Sequence, residues 1–452
     1  MKGKIIAAAA LFCILASGLY AGGVRNQDRR SGGVTKIRVW TDNAHEKTIR
    51  DAQIAAFNAG RGKELEIEIE YTVYGTNFND ALRIALQAGE GPELYRADPG
   101  YTVDWVTGGY ALPLTALPGG QAIVDQYKGE LVPNSQLFDG VPYTLPYSVT
   151  SHKLVVNKDL FDEAGLALPK TWDDVRNAAK AITARGGGRN YGYIMGLQST
   201  WTINLYLVRQ NMVNVGHVGF DHQTLTYKYA EHARAVEAVL GMVNDGSVFP
   251  GYENLDADQM RAQFAAGRVG MIFGASFDVA VYNEQFPANF NWVVVDPPTY
   301  ERGPAKYKEP VDTINLLLVN KDAKNLEKVA EVFKFFYSDE NMAEMYENGL
   351  YVPYRSQAIA LAKKPPALKG FAEFANVPQK ITLLPTPNGV LAVEGLDMAQ
   401  VFVRYFSRIY RENAASVLED LDRRYMSALN QQLSVEERER YRQNPDRVIL
   451  AQ

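Results

Sequence analysis

Two short groups of histidine and aspartate residues have side chains of the types that bind metal ions. His217 and His222 lie on either side of Asp221, and Asp256 with Asp258 resembles half of a calcium-binding loop. The second group lacks the glycine and the terminal glutamate that such a loop requires. We therefore interpret both groups as solvated loop residues, and we predict neither a metal site nor a cofactor.

Catalytic motifs with a fixed spacing are absent from the sequence. It contains no Gly-x-Ser-x-Gly elbow, no His-Glu-x-x-His helix and no P-loop. The one cysteine, Cys13, lies in the N-terminal apolar segment, so the rest of the chain offers neither a thiol nucleophile nor a disulfide. We predict no enzymatic activity. A glycosidase needs only two facing carboxylates, so an exported carbohydrate-active enzyme stays open as an alternative.

The composition limits the classes of partner. The 452 residues are 46% hydrophobic and 22% charged, which is typical of a globular protein with two or three compact units. The net charge of −5, without a run of lysine or arginine, argues against a nucleic-acid partner. The 26 tyrosines suit a polar ligand, because each offers flat apolar area together with a hydroxyl; tyrosine spread through core and surface is the alternative.

The N-terminus has the pattern of a secretory signal peptide. Lys2 and Lys4 precede the apolar segment 5–16, and Ala21 offers a small residue for cleavage. We predict a cleaved signal peptide over residues 1–21 and a flexible linker over 22–35, hence a periplasmic or otherwise extracytoplasmic protein. Cys13 follows Phe12 rather than a small residue, so we do not expect lipidation.

Strand and helix patterns alternate after the linker. Short strands are predicted over 36–40 and, from a period-two alternation, over 65–73, with amphipathic helices following each. The same order returns after Pro146, where Thr171 and Asp174 form a capping box at a helix start. Further strands are predicted over 154–157, 269–273, 293–295 and 316–319, and a helix over 414–425. The order of elements predicts an α/β fold with two lobes.

Five groups of segments, in this order along the chain, resemble the maltose-type extracellular solute-binding proteins of ABC importers. They are residues 89–94, 139–147 with 156–161, 164–166 with 169–174, 264–271 and 349–355. The resemblance implies a two-lobed periplasmic-binding-protein fold, in which each lobe is a central sheet flanked by helices and hinge crossings join the lobes. Solute would bind in the cleft between the lobes and select the closed state.

The resemblance also implies where the lobes begin and end. Hinge crossings fall near Tyr147–Thr150, near Val311–Thr313 and around residues 366–372. Lobe 1 would then comprise residues 36–148 and 313–366, and lobe 2 residues 149–312 and 367–452. The implied partners are a small solute, chiefly a mono- or oligosaccharide, and the permease subunits of an ABC importer, and we expect the protein to act as a monomer.

A sugar site needs aromatic platforms for the apolar C–H faces and polar groups for the hydroxyls. In the resemblance Trp201 aligns with an aromatic residue that stacks on sugar, and Phe277 stands where the family usually has tryptophan. The other candidate ligand-binding residues lie in loops or beside the hinge, and they are Asp42, Asn43, His45, Asp98, Tyr101, Tyr147 and Arg355. Thr150 and Ser151 stand where family members often carry a carboxylate, so the family's specificity does not transfer.

Each candidate also has a structural interpretation. Asp42 is suited to capping the helix that follows it, and Arg355 to a structural ion pair. A different cargo is the other alternative: an anionic sugar or polyol phosphate held by Arg355 and Lys153, or a peptide.

Overall fold

The computed structural model describes residues 33–75, 77–98, 101–127, 129–410, 412–443 and 447–451. The predicted signal peptide and residues 22–32 of the predicted linker lie outside these ranges. The strands of the described residues are β1 (Thr35–Thr41), β2 (Ile67–Val73), β3 (Leu94–Arg96), β4 (Leu137–Phe138), β5 (Val141–Pro142), β6 (Pro146–Asn157), β7 (Tyr191–Tyr193), β8 (Phe220–Asp221), β9 (Thr226–Tyr227), β10 (Val269–Ala275), β11 (Trp292–Val295), β12 (Glu309–Asn315), β13 (Leu317–Val319), β14 (Val352–Pro353) and β15 (Lys380–Thr382).

The α-helices are α1 (Lys47–Ala59), α2 (Arg61–Glu64), α3 (Phe78–Gln87), α4 (Thr102–Thr107), α5 (Gly120–Val124), α6 (Lys158–Glu163), α7 (Trp172–Gly186), α8 (Trp201–Ile203), α9 (Gln210–Val215), α10 (Ala233–Asn244), α11 (Ala257–Ala265), α12 (Asp278–Ala280), α13 (Leu326–Phe336), α14 (Asp339–Glu347), α15 (Ser356–Ala360), α16 (Phe371–Ala375), α17 (Met398–Phe406), α18 (Ala414–Gln432) and α19 (Val435–Glu439). Two π-helical segments, Asn204–Arg209 and Val281–Gln285, continue α8 and α12.

The first sheet has the strand order β13-β3-β1-β2. β1 pairs in parallel with both β2 and β3, whereas β13 is antiparallel to β3. Helices α1 and α2 pack on β2, and α13 packs on β1. Parallel neighbours need crossover helices, so the strand–helix alternation of this region has the expected topology.

The second sheet follows the path β15-β12-β6-β10-β7, and β11 and β14 also pair with β6. The 12-residue strand β6 is its centre. The N-terminal part of β6 pairs with β12 and β14, and the C-terminal part pairs with β10 and β11. Helix α7 packs on β7 and β10, and α16 packs on β6.

The chain passes directly from the second sheet to the first between β12 and β13. The β12–β6 register shifts between Ile314 and Asn315, because Ile314 lies opposite Ser148 and Asn315 opposite Pro146, which leaves Tyr147 of β6 without a partner on β12. An extra residue of this kind bends the strand that carries it and increases the local twist, here at the start of β6 beside the crossing. Two residues after Asn315, β13 begins to pair with β3 of the first sheet.

The apolar core has two parts. A large cluster extends through both sheets and includes Val39, Val155 and Leu317. A smaller cluster, which includes Phe78, Trp105 and Leu318, lies against the first sheet. Neighbouring residues of β13 thus pack into different clusters, because successive side chains of a strand point to opposite faces.

The strands and helices that were predicted from patterns within short stretches of sequence are confirmed. β1, β2, β10, β11 and β13 cover the predicted strands to within two residues at each end, and the capping box at Thr171 and Asp174 starts α7. The predicted strand 154–157 is the end of the longer β6. The predicted C-terminal helix is α18, with Leu418, Leu421 and Tyr425 buried. In the described ranges no helix has the length and apolar character needed to cross a bilayer.

Candidate ligand-binding site

Two aromatic side chains of the second-sheet region lie exposed and adjacent. Trp201 begins α8 and is 41% exposed, and Phe277 follows β10 and is 45% exposed. Their ring centroids are 6.5 Å apart at an interplanar angle of 54°. Large apolar side chains exposed together form a surface that a ligand's apolar face can cover. We call these two residues the aromatic platform.

Arg261 of α11 supports the aromatic platform from below. Its guanidinium carbon lies 5.6 Å from the ring centroid of Trp201 and 5.8 Å from that of Phe277. It forms an ion pair of 2.6 Å with Asp278, whose side chain is only 1% exposed. Burial acts to lower the pKa of Arg261, but the Asp278 carboxylate raises it above the usual value, so the guanidinium stays charged. This cation–π arrangement fixes both rings.

The Asp278 carboxylate is itself held by neighbouring donors. The backbone N–H of Ala275 donates to it at 2.7 Å, and the Tyr206 hydroxyl donates at 2.9 Å. The Tyr206 ring also lies 5.8 Å from that of Trp201. The platform therefore rests on a buried hydrogen-bonded network, which our sequence analysis did not identify because its members are separate in the chain.

A group of charged residues lies where the first-sheet strands end. Arg96 contacts Asp42 and lies 3.3 Å from Asp98, and the three side chains are 18–26% exposed. Arg96 is the member that our sequence analysis missed; its position at the end of β3 beside Asp98 was the available signal. Tyr101 directly precedes α4, and its ring stacks on that of Trp105 with the centroids 6.0 Å apart. The structure thus brings the predicted Asp42 and Asp98 together through Arg96.

Three further predicted residues lie near the N-terminal end of α1. Asn43 is buried, and its backbone N–H donates to the Thr41 hydroxyl at 3.1 Å. The His45 ring lies 5.4 Å from the ring of Tyr351, which in turn lies 5.5 Å from that of Tyr147. Tyr147 is 1% exposed.

The Tyr147 hydroxyl accepts a hydrogen bond from Arg50 at 3.2 Å, and burial raises its pKa. His45 and Tyr147 therefore share one aromatic neighbour, with Tyr147 packed in the interior.

A polar cavity of about 310 Å³ lies beside the strand crossing. Ser135 precedes β4, Arg209 ends the π-helical segment after α8, and Asp312 belongs to β12; all three line it. Arg209 contacts Asp312, and His152 Nε2 lies 2.9 Å from the same carboxylate. Burial acts to raise the pKa of Asp312, but these two neighbours lower it below the usual value. Thr150 is the residue of β6 directly opposite Asp312.

The two cationic residues considered for an anionic cargo are both ion-paired. Arg355 lies 3.0 Å from Asp339 and also contacts Gln126. Lys153 is 1% exposed and lies between Asp296 at 2.5 Å and Glu309 at 3.5 Å. Arg355 lines a larger cavity elsewhere in the molecule rather than the one beside Asp312.

The histidines and aspartates that we considered as possible metal ligands contact other residues instead. Asp256 caps α11, Asp221 pairs with Lys228 at 2.6 Å, and His217 lies 3.0 Å from Glu231. His222 Nδ1 lies 2.8 Å from the carbonyl oxygen of Tyr441. Across the described residues, no three His, Cys, Asp or Glu side chains are grouped so as to hold a metal ion.

Two sheets, each flanked by helices and joined by crossing strands, define the two-lobed periplasmic-binding-protein fold. The cyclic α-maltosyl-1,6-maltose binding protein from Arthrobacter globiformis has this fold. It superimposes with a TM-score of 0.65 over 88% of this chain and 100% of its own, at 17% identity. The fold predicted from the sequence is confirmed.

Residues 43–343 match the family model of the bacterial extracellular solute-binding proteins, and the chain belongs to this family. A binding protein of Brucella abortus is 24% identical over 278 residues, which cover 60% of this chain and 64% of that protein. The sn-glycerol-3-phosphate-binding periplasmic protein UgpB of Rhizobium meliloti is 26% identical over 239 residues, which cover 50% and 52%. The match therefore spans less than two thirds of the length of either relative.

Proposed function

We propose that the protein binds a mono- or oligosaccharide between its lobes and delivers it to the permease subunits of an ABC importer. The observation that carries this proposal is the aromatic platform, in which Trp201 and Phe277 are exposed side by side over a buried ion pair. An exposed tryptophan on a rigid support is suited to stacking on the C–H face of a sugar ring.

The polar half of the proposed site comes from the other sheet. Asp42, Arg96 and Asp98 present two carboxylates and a guanidinium that are partly exposed and mutually oriented. Such groups make charge-assisted hydrogen bonds to hydroxyls, which are stronger than neutral ones. A sugar stacked on the platform would reach them when the lobes close, and water would leave the cleft.

The proposed lobes comprise residues 36–148 with 313–366 and residues 149–312 with 367–452. Three stretches support crossings at these limits. The first two stretches are β6 and β12, which pair with each other from Pro146 to Ser151 of β6. The third stretch, residues 366–372, contacts segments that lie next to each of the two sheets. In that third stretch Ala367 donates to the Glu347 carbonyl at 3.0 Å and the Lys369 ammonium donates to the Phe290 carbonyl at 3.4 Å.

The proposal extends to the location and mode of action of the protein. Residues 1–21 would be cleaved as a signal peptide, and the chain would act outside the cytoplasm as an unlipidated monomer without catalytic activity. Membership of the solute-binding family supports the extracytoplasmic location and the importer as partner.

A polyol phosphate is the second candidate cargo, because the relative UgpB of Rhizobium meliloti is described as an sn-glycerol-3-phosphate-binding protein. Arg355 and Lys153 are poorly suited to hold it in the main cleft. Each already pairs with carboxylates, and Lys153 is buried, so a phosphate would have to displace them. Breaking a buried ion pair costs several kcal/mol.

The test is a thermal-shift screen of the purified mature protein against mono-, di- and oligosaccharides, polyols, sugar acids and glycerol 3-phosphate. A ligand that binds only the folded state adds about 2.7 kcal/mol of stability at one hundred times its Kd. We expect one sugar class to raise the melting temperature strongly, and we expect that sugar to be recovered chemically unchanged. A shift with glycerol 3-phosphate alone would reject the sugar, and conversion of the sugar would reveal an enzyme.

A further inference from the structure

A second cavity, of about 900 Å³, is lined by residues 126–127, 129–130, 308, 354–357, 378–382 and 447–448. This volume falls within the range of small-molecule sites, roughly 300–1,000 Å³. None of the described residues that line it belongs to the aromatic platform or to the Asp42–Arg96–Asp98 group. We call it the cationic cavity.

The charged residues that line the cationic cavity are mostly positive. Among the described residues they comprise four cations and one carboxylate, namely Lys308, Arg355, Lys380, Arg447 and Glu130. Glu130 is engaged by the Tyr354 hydroxyl, which donates to it at 2.6 Å. Arg355 is held by Asp339, which fixes its guanidinium while neutralising part of its charge. The excess of positive charge is therefore concentrated on the opposite wall.

Lys380 and Arg447 form that wall, and both are partly buried. The Lys380 ammonium lies 5.3 Å from the ring centroid of Tyr354, and Arg447 donates to the carbonyl oxygen of Thr382. Among the described residues neither forms a close ion pair with a carboxylate, although the Glu130 carboxylate acts on Lys380 from a greater distance and opposes the lowering of its pKa. Burial lowers the pKa of Lys380 and lowers that of Arg447 to about 10. Partly buried cations whose charge is only partly compensated are costly, and a bound anion would relieve that cost.

The same cavity carries aromatic rings beside the cations. Tyr127 and Tyr354 lie 5.9 Å apart, and the Arg355 guanidinium lies 5.8 Å from the Tyr127 ring. An anionic head would meet Lys380 and Arg447, while the rings offer apolar area for an attached organic group. A planar guanidinium binds phosphate oxygens through two parallel N–H donors, and lysine adds a point charge.

We propose that the cationic cavity is an anion site, distinct from the sugar site, that binds a phosphate monoester through Lys380 and Arg447 with Arg355 on the facing wall. The volume exceeds what a bare phosphate would fill, which favours the ester over the free ion. The cavity shares no lining residue with the aromatic platform or with the Asp42–Arg96–Asp98 group, although its residues come from both proposed lobes.

The test measures binding of three probes to the purified mature protein by isothermal titration calorimetry: glycerol 3-phosphate, inorganic phosphate and glycerol. We expect saturable binding of glycerol 3-phosphate, weaker binding of phosphate and none of glycerol. Lys380→Gln and Arg447→Gln should each weaken binding at least about tenfold, because each removes a charge-assisted hydrogen bond. Two variants keep the test valid if one of them does not fold.

Two matched controls distinguish the cationic cavity from the main cleft and from a general effect of charge. Lys63→Gln removes an exposed charge elsewhere and should leave the affinity unchanged. Trp201→Ala should also leave it unchanged, since the aromatic platform lies outside the cavity. The proposal would be overturned if millimolar glycerol 3-phosphate gave no saturable binding. It would also be overturned if Lys63→Gln lost as much affinity for glycerol 3-phosphate as Lys380→Gln and Arg447→Gln. Loss of binding in Trp201→Ala would place the phosphate in the main cleft instead, whereas failure of sugars to bind would leave this proposal untouched.

Discussion

The Arg261 guanidinium forms a 2.6 Å ion pair with the Asp278 carboxylate directly beneath the rings of Trp201 and Phe277. The two charged side chains are 9% and 1% exposed. A buried pair contributes little net stability by itself, but loss of one partner leaves the other charge buried without compensation. The pair thus links the stability of this region to the geometry of the aromatic platform.

Asp278→Asn should lower the free energy of unfolding by about 3 kcal/mol, because it removes the buried carboxylate and leaves the Arg261 charge with only the exposed Asp258 as partner. Chemical denaturation followed by circular dichroism measures this change. Asp245→Asn is the matched control, because Asp245 pairs with Arg176 at 3.2 Å near the surface, where loss costs under about 1 kcal/mol. Equal effects of the two substitutions would contradict a special role for the buried pair.

Trp201→Ala should weaken binding of the sugar identified by the thermal-shift screen about 10- to 100-fold, because an aromatic anchor contributes roughly 1.4–2.8 kcal/mol. Titration calorimetry measures the affinity. The unliganded melting temperature should change little, since the side chain is 41% exposed. Val435→Ala, at an exposed position of α19, serves as control. Unchanged affinity in Trp201→Ala would remove the platform from the binding site.

Glu309 makes the stability of the protein depend on pH. Its side chain is 13% exposed, and burial raises its pKa to about 7, although Lys153 at 3.5 Å opposes the rise. Below its unfolded-state pKa of 4.5 both states hold the proton. Between that value and about 7 only the folded state holds it, so this residue's stabilising contribution is lost as the pH rises through that range.

Glu309→Gln should remove that dependence. The difference in unfolding free energy between wild type and variant should change by about 3 kcal/mol across this pH range, because each pKa unit corresponds to about 1.36 kcal/mol. Urea denaturation at a series of pH values measures it. Glu163→Gln, at an exposed position of α6, should give a curve parallel to that of the wild type. A Glu309→Gln curve that is also parallel would refute the assignment.

Gly192 of β7 allows α7 to approach the second sheet. A Cβ atom there would lie 2.1 Å from the backbone Cα of Ala179, so the helix would have to move. We expect Gly192→Ala to destabilise the protein by about 2–3 kcal/mol, the usual cost of overpacking. Thermal unfolding measures the loss. Gly389→Ala should be nearly neutral, since a Cβ atom there meets no other atom within 4 Å.

Features encoded in neighbouring residues could be predicted from the sequence. The alternation of Ile67, Ile69 and Tyr71 specifies β2, and the Thr171 hydroxyl accepts from the Asp174 backbone as the capping box requires. Of β6, only the C-terminal residues 154–157 were predicted from the sequence. Its earlier residues include Ser148, Thr150 and His152, whose polar side chains resemble a loop until β12 and β14 pair with them.

The candidate site was less predictable, because its parts meet only in three dimensions. Arg209 and Asp312 are 103 residues apart, and nothing near either residue indicates the other. Arg261 lies on a helix of mixed apolar and polar residues, and nothing in that local pattern indicates that its guanidinium is buried beneath two rings. The resemblance supplied Trp201 and Phe277 but not the charged pair that supports them.

One residue, Leu316, separates β12 from β13, and it sets which side chains of β13 face each side of the first sheet. Leu317 and Val319 turn toward the large apolar cluster, whereas Leu318 turns toward the smaller one around Trp105. Removing Leu316 would exchange these two orientations while leaving the composition of the strand almost unchanged. The number of residues in the crossing therefore decides which side of the sheet each β13 side chain packs on. Insertion or deletion of a single residue there would be more damaging than many substitutions of side chains.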